Sequence, residues 1–205
     1  MSGMRLGVLG GTFDPVHFGH LRLAEEVLSQ FHLDRVLFVP SGTPPHKRDG
    51  PVADAQDRWL MTVLATVSHP GFRVSTIEIE RTGLSYSVET LAQIHHLYGP
   101  GAEFYFVLGA DAVLEMRTWR EPERVLELCH PVIAPRPGVE LGCLADIGVP
   151  GLEERARFLK GLATDLSSTE IRKRVRAGES IRFMTPDQVD QYIQRYTIYA
   201  GPAAE

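Results

Sequence analysis

This 205-residue sequence predicts an α/β fold, Rossmann-like, with a mostly parallel sheet, helices on both faces and a small helical carboxyl-terminal part over about 165–200. Three observations carry that expectation. Short apolar runs at Leu6–Leu9, Val36–Pro40 and Phe104–Gly109 read as buried strands. Stretches with helical spacing lie between them, so strand, helix and strand form parallel units with right-handed crossovers. Turns rich in glycine and proline follow the strand ends, where open α/β sheets place their ligands.

The elements follow in order. Leu6–Leu9 leads through Gly10-Gly11-Thr12-Phe13-Asp14-Pro15-Val16-His17-Phe18-Gly19-His20 into a helix that ends near Phe31-His32. Asp34 to Pro40 is the second strand, and Ser41 to Lys47 is a binding loop at its carboxyl end. Ala55 to Val67 has Trp59, Leu60, Val63, Leu64 and Val67 at helical spacing, and Phe72 to Ile79 alternates as a strand does. A turn at Thr82-Gly83 precedes a helix from Ser87 to Tyr98, which Gly99-Pro100 ends. Glu103 to Gly109 is the most clearly buried strand, and Ala110-Asp111 opens a short helical stretch reaching Trp119. A helix over Glu121–Leu128 and a strand over Pro131–Ala134 come next. Pro135 to Glu154 has no period and reads as a long surface loop with a short helical turn, before a last strand over Arg157–Leu162. Ser167 and Glu170 fit a capping box that starts a helix, a final helix covers about Pro186–Tyr196, and residues 201–205 form a frayed tail. Nothing demands a second domain, so residues 1–205 read as one.

Composition narrows the class. A hydrophobic fraction of 43% and a net charge of −5 describe a folded protein without a broad polyanion-binding face, which argues against nucleic acid as a partner. No apolar run approaches the roughly 20 residues needed to span a bilayer. Cys129 and Cys143 have no metal-type spacing, and the chain opens without a basic segment followed by an apolar one. The expectation is a cytoplasmic protein, without a membrane partner, existing as a monomer or small homo-oligomer.

The chemistry centres on the first turn. Backbone N–H groups and the positive end of a helix dipole converge where a strand turns into a helix, which favours a phosphate. Gly7, Gly10 and Gly11 do not make the G-x-G-x-x-G spacing, and no G-x-x-x-x-G-K-[ST] occurs. Instead His17 and His20 stand at i and i+3, with Gly19 between them allowing close approach to the backbone. Alone, such a pair also fits helix capping or zinc binding, although no third zinc ligand has a recognisable spacing.

Two strings together identify a family. GGTFDPVHFGH resembles the H-x-G-H signature of the nucleotidylyltransferase superfamily, and Leu166 to Arg172 resembles its S-S-T-x-I-R signature, about 150 residues later. Ser41 to Lys47, Arg81 to Ser87, and Gly109-Ala110-Asp111 followed by Trp119 resemble the bacterial nicotinate-nucleotide adenylyltransferases. That resemblance implies transfer of AMP from ATP to nicotinate mononucleotide, releasing pyrophosphate, by in-line attack of the mononucleotide phosphate without a covalent intermediate. It implies His17, His20 and Arg172 as catalytic groups. Gly10, Gly11, Thr12, Phe13, Gly19, Gly109, Asp111, Ser167, Ser168 and Thr169 would contact ATP beside them. Mg²⁺ would bridge the leaving pyrophosphate. Thr12, Lys47, Ser87, Trp119 and Arg120 would form the mononucleotide side.

Plainer roles exist for several of these residues. Trp119 also fits ordinary core, Asp111 a helix cap, Lys47 solvated surface, and Ser168, Thr169 and Arg172 a cap with a solvated arginine. Rival functions are the same chemistry on nicotinamide mononucleotide or phosphopantetheine, and a non-catalytic nucleotide-binding regulator.

Overall fold

The apolar runs become six strands in a computed structural model, which describes residues 3–43, 53–161 and 165–200. They are β1 (Arg5–Gly11), β2 (Arg35–Pro40), β3 (Phe72–Val74), β4 (Glu103–Gly109), β5 (His130–Ala134) and β6 (Arg157–Phe158). All neighbouring pairs are parallel, in the order β3-β2-β1-β4-β5-β6. This is a doubly wound order whose reversal lies between β1 and β4, and a crevice opens at the carboxyl ends of strands there.

Alternation along the strands feeds two cores. Leu9, Val36, Phe38, Tyr105, Val107 and Val132 face one side of the sheet. Leu6, Val8, Leu37, Val39, Phe104, Phe106, Leu108 and Ile133 face the other. Helices α1 (Phe18–Gln30), α2 (Ala55–Thr66), α7 (Ser168–Arg176) and α8 (Asp187–Arg195) cover the first side through Ala24, Val27, Met61, Ile171, Val189 and Ile193. Helices α3 (Ser87–Tyr98), α4 (Ala110–Leu114), α5 (Pro122–Leu128) and α6 (Leu152–Arg155) cover the second. No helix among the described residues is long and apolar enough to cross a membrane.

Four expectations change. The last strand, expected over Arg157–Leu162, pairs with β5 only at Arg157 and Phe158. The strand expected over Phe72–Ile79 stops at Val74: the Ser75 N–H donates to the Phe38 carbonyl at 2.9 Å, then a turn closes from Glu80 N–H to the Thr76 carbonyl. Glu78 is carried inward by that turn. In α2 the buried face is Arg58, Met61, Thr62, Ala65 and Thr66, while Val67 is exposed. Polar residues can take that face because Thr62 and Thr66 donate to carbonyls four residues back, each at 2.8 Å. The stretch Pro135–Glu154 is not all surface, since Leu144, Val149 and Leu152 are buried in the second core. The 201–205 tail lies outside the described residues.

Candidate active site

β1 ends in two glycines because the turn closes on itself. A Cβ at Gly11 would stand 3.0 Å from the Phe13 ring. Phe13 sits at φ 49, a left-handed conformation unusual for a bulky residue, and its ring is buried against Phe38 and His20 at centroid distances of 5.7 and 5.0 Å. Phe13 thus supports the turn from beneath, with only its backbone left to meet a ligand.

His17 caps α1 in an extended conformation. Its N–H donates to Nδ1 of His20 at 3.2 Å, and the two imidazoles stack at 3.7 Å. Accepting at Nδ1 places the proton of neutral His20 on Nε2, which makes that nitrogen a donor. The His17 ring is buried, and its Nδ1 has no hydrogen-bond partner among the described residues. Burial pushes its pKa down to about 4, and the positive charge of Arg136 adds to the effect. His17 is therefore neutral at pH 7.

The second signature is fastened to the first. Ser167 caps α7, its hydroxyl accepting from the Glu170 N–H at 3.2 Å. The Ser168 hydroxyl donates to the Pro15 carbonyl at 2.9 Å, and the Arg172 guanidinium donates to the Asp14 carbonyl at 2.7 Å and to the Thr169 hydroxyl at 3.3 Å. Further on, Thr185 donates to the Val16 carbonyl at 2.9 Å and the Phe18 N–H to the Met184 carbonyl at 3.0 Å. Two helix N-termini thus converge on one turn, which concentrates donors suited to an anion.

A buried brace lies beneath. The Arg58 guanidinium, 1% exposed, donates to the carbonyls of Thr12 at 2.8 Å, Ala53 at 3.2 Å and Gly42 at 3.3 Å. Burial lowers its proton affinity and the nearby Asp14 opposes that effect most strongly. Asp14 accepts from Tyr199 Oη at 2.7 Å and from the Ala53 N–H at 3.2 Å. Burial and the Asp14 carboxylate push the Tyr199 phenol well above its usual range.

Beside the turn, a cleft of about 310 Å³ opens toward α3 and the segment after β4. Gly10, Gly11, Thr12, Ser87, Phe106, Leu108 and Trp119 are among the residues that line it. Trp119 is half-buried and meets Phe106 edge-on at 6.3 Å, leaving part of the indole available to a flat ring. Arg120 also lines the cleft, but its guanidinium is engaged by Glu89 at 2.7 Å and lies 4.9 Å from the Tyr86 ring.

The expected residues therefore fall into two adjoining groups. His17, Gly19 and His20 stand at the start of α1, against Ser167, Ser168, Thr169 and Arg172 at the start of α7. Gly10, Gly11, Thr12, Ser87, Trp119 and Arg120 surround the cleft. Gly109 and Asp111 follow β4, where Asp111 pairs with Arg136 at 3.3 Å. A Cβ at Gly109 would stand 2.4 Å from Asp111 Oδ1, so that pair depends on the glycine. Lys47 lies outside the described residues. Sequence reading did not single out the Asp14 carboxylate, Arg58, Arg136 or Tyr199. For Arg58 a signal existed: it shares a helical face with Met61, Thr62 and Ala65.

Comparison with known proteins places the chain in a family. The profile of the cytidylyltransferase-like family matches residues 8–174. A relative from Thermoanaerobacter sp. (strain X514), named a probable nicotinate-nucleotide adenylyltransferase, is 46% identical over 96% of this chain and 94% of its own. One of the same name from Moorella thermoacetica is 45% identical over 95% of this chain and 91% of its own. Among solved structures, Plasmodium falciparum nicotinic acid mononucleotide adenylyltransferase complexed with NaAD superposes with a TM-score of 0.75, over 96% of this chain and 97% of that one. At 17% identity that last match is a likeness of fold. The chain belongs to the cytidylyltransferase-like family, and within it to the nicotinate-nucleotide adenylyltransferases.

Proposed function

We propose that this chain, acting as one cytoplasmic domain over residues 1–205, transfers AMP from ATP to nicotinate mononucleotide, forming nicotinate adenine dinucleotide and pyrophosphate in NAD biosynthesis. One observation carries the reading above the others. The donors of His17–His20 and of the α7 start are bound into a single unit by Ser168 and Arg172, directly beside a cleft walled by Trp119 and Ser87. A triphosphate and a flat-ringed phosphate monoester can lie across that boundary with their phosphates adjacent.

The acceptor phosphate is already a nucleophile at pH 7, so no general base is required. Rate must come from alignment and from donors aimed at growing charge. In this reading the backbone of Gly11 and Thr12 orients the attacking phosphate in line with the ATP α-phosphorus. His20 Nε2–H and the neutral His17 ring donate to the α- and β-phosphates, and Arg172 with Ser168 and Thr169 holds the β- and γ-phosphates. Gly109 and Asp111 would receive the ATP ribose, Ser87 and the backbone at Arg120 the pyridine carboxylate, and Lys47 would add positive charge.

Among the described residues no group of three or more His, Cys, Asp or Glu is arranged to hold a metal ion. The donors at the turn are imidazole, guanidinium and backbone N–H, which suit phosphate oxygens. These residues fit Mg²⁺ held chiefly through the nucleotide phosphates and water. When bound it neutralises charge on the leaving pyrophosphate.

The test is pyrophosphate release from ATP and Mg²⁺ with nicotinate mononucleotide, nicotinamide mononucleotide and phosphopantetheine in turn. Release with the first at the highest kcat/KM is expected. A preference for another acceptor reassigns the substrate, and no release with any supports the regulator instead.

A further inference from the structure

The cleft contains polar groups that the roles above leave unused. Glu78 lines it, 9% exposed, although the cleft would receive a ligand bearing two anionic groups. One carboxylate oxygen, Oε1, accepts from the Thr90 hydroxyl at 2.7 Å, and Thr90 in turn accepts from Arg81 at 3.1 Å. Its other oxygen receives no hydrogen bond from the described residues. Two hydroxyls in the same cleft are also unmatched: Ser41 Oγ and Ser85 Oγ are buried with no hydrogen-bond partner among the described residues.

Gly42 lets the segments that carry these groups pack against one another. A Cβ there would stand 2.2 Å from the Glu78 carbonyl and 3.0 Å from Ser85 Oγ, so only a glycine lets the segment carrying Ser41 press against the other two. The Ser85 N–H fixes this contact by donating to the Thr43 carbonyl at 2.9 Å, and the Ser41 N–H donates to the Gly11 carbonyl at 2.8 Å. Buried polar atoms without partners are rare, and a cluster of them on a cleft wall calls for a ligand that supplies the missing bonds.

Charge decides which part of the ligand that is. An ionised carboxylate only accepts hydrogen bonds, and it repels a phosphate or a second carboxylate. A nucleotide with a phosphate at one end and a pyridine carboxylate at the other has one uncharged donor-bearing part, its ribose diol. The geometry points to Glu78, with Ser41 and Ser85, as the subsite for the ribose hydroxyls of the acceptor mononucleotide. This rests on the transferase reading, and it separates the acceptor into three zones: phosphate at Gly11 and Thr12, diol at Glu78, ring at Trp119. It also gives Glu78 a part in selectivity, since an acidic group shifted along the cleft would meet a buried carboxylate.

The experiment is a cycle between enzyme and ligand. kcat/KM is measured for the unmodified chain, Ser85→Ala and Glu78→Gln, each with nicotinate mononucleotide and with its 2′-deoxy and 3′-deoxy forms. Hydrogen bonds to a charged group set the scale, so Glu78→Gln is expected to lose roughly tenfold to a hundredfold on the ribose acceptor. On at least one deoxy acceptor it should lose less than about threefold, the hydroxyl that Glu78 serves being already gone. Ser85→Ala deletes a hydroxyl that makes no bond within the protein, so it should keep the melting temperature while losing severalfold on the ribose acceptor alone. Equal losses on all three acceptors overturn the subsite and leave a purely structural role. No turnover by the unmodified chain with any of the three overturns the transferase reading and the subsite with it.

Discussion

Lowering the pH should destabilise this protein through His17 in a way that can be isolated. The ring titrates at 6.5 in an unfolded chain, but burial and Arg136 hold it down to about 4 when folded. Between those values the unfolded chain binds the extra proton, so stability falls as pH drops from about 7 to 4 and stops falling on this account below that. Well above 6.5 both states are neutral and the group contributes no slope. A gap of that size corresponds to ~3 kcal/mol of stability present at neutral pH and lost on acidification. Urea unfolding of the unmodified chain and of His17→Asn, in phosphate-free buffer at several pH values, measures it. Asn keeps a good N-cap for α1 without the titrating ring. The variant's stability should fall by about 3 kcal/mol less across that range. Parallel curves, or a His17 ring signal titrating near its ordinary value by NMR, would refute the argument from burial.

Arg58→Met should cost ~3 kcal/mol or more, because it takes a buried donor from the carbonyls of Thr12, Gly42 and Ala53 and one of two nearby positive charges from Asp14, the other being Arg172; denaturant unfolding measures this, and a loss under about 1 kcal/mol would contradict the brace. Tyr199→Phe removes one hydrogen bond to the Asp14 carboxylate and should cost ~2 kcal/mol by the same assay, with the fold kept. Trp119→Ala should raise KM for the mononucleotide about tenfold or more and leave ATP affinity within about twofold, as steady-state kinetics and calorimetry can show; an equal loss for both ligands would argue that the indole serves the core. His20→Ala should reduce kcat by a factor of about a hundred with ATP affinity nearly kept, whereas lost ATP binding with kcat unchanged would remove it from the developing charge.

Much of this architecture is readable without coordinates, for a specific reason. Strands such as Glu103–Gly109 and helices such as Ser87–Tyr98 are set by local periodicity and closed by local punctuation, Gly99 in the second case. The two turns at His17 and Ser167 are legible because each is a contiguous string. What escaped is what depends on distant partners. Arg58 shares a helical face with Met61, Thr62 and Ala65, but its charge disguises that face until three carbonyls are seen to surround it, so the apolar spacing of Trp59, Leu60, Val63, Leu64 and Val67 points to a rotated face for α2. The Asp14 backbone meets Arg172 across 158 residues, a spacing with no pattern to announce it. The strand at Phe72 was read too long because alternation persists through Ile79 while pairing with β2 does not. Within the cleft, Ser87 and Trp119 were reachable by resemblance, whereas the unpartnered hydroxyls of Ser41 and Ser85 are a property of packing.

The bond between Tyr199 and Asp14 joins positions 185 residues apart, and this bears on how the protein comes to be made. On the ribosome, the first turn emerges early, and β2 and β4 can flank β1 well before synthesis reaches the later helices. Yet the carboxylate under that turn lacks the neighbouring Arg172 until late in synthesis, and lacks its phenol until Tyr199 has been added. Closing so long a span is costly in chain entropy, and contacts of this kind form late. Nascent chains should therefore show a folded sheet before they show nucleotide affinity, with competence appearing abruptly once residue 199 has cleared the exit tunnel.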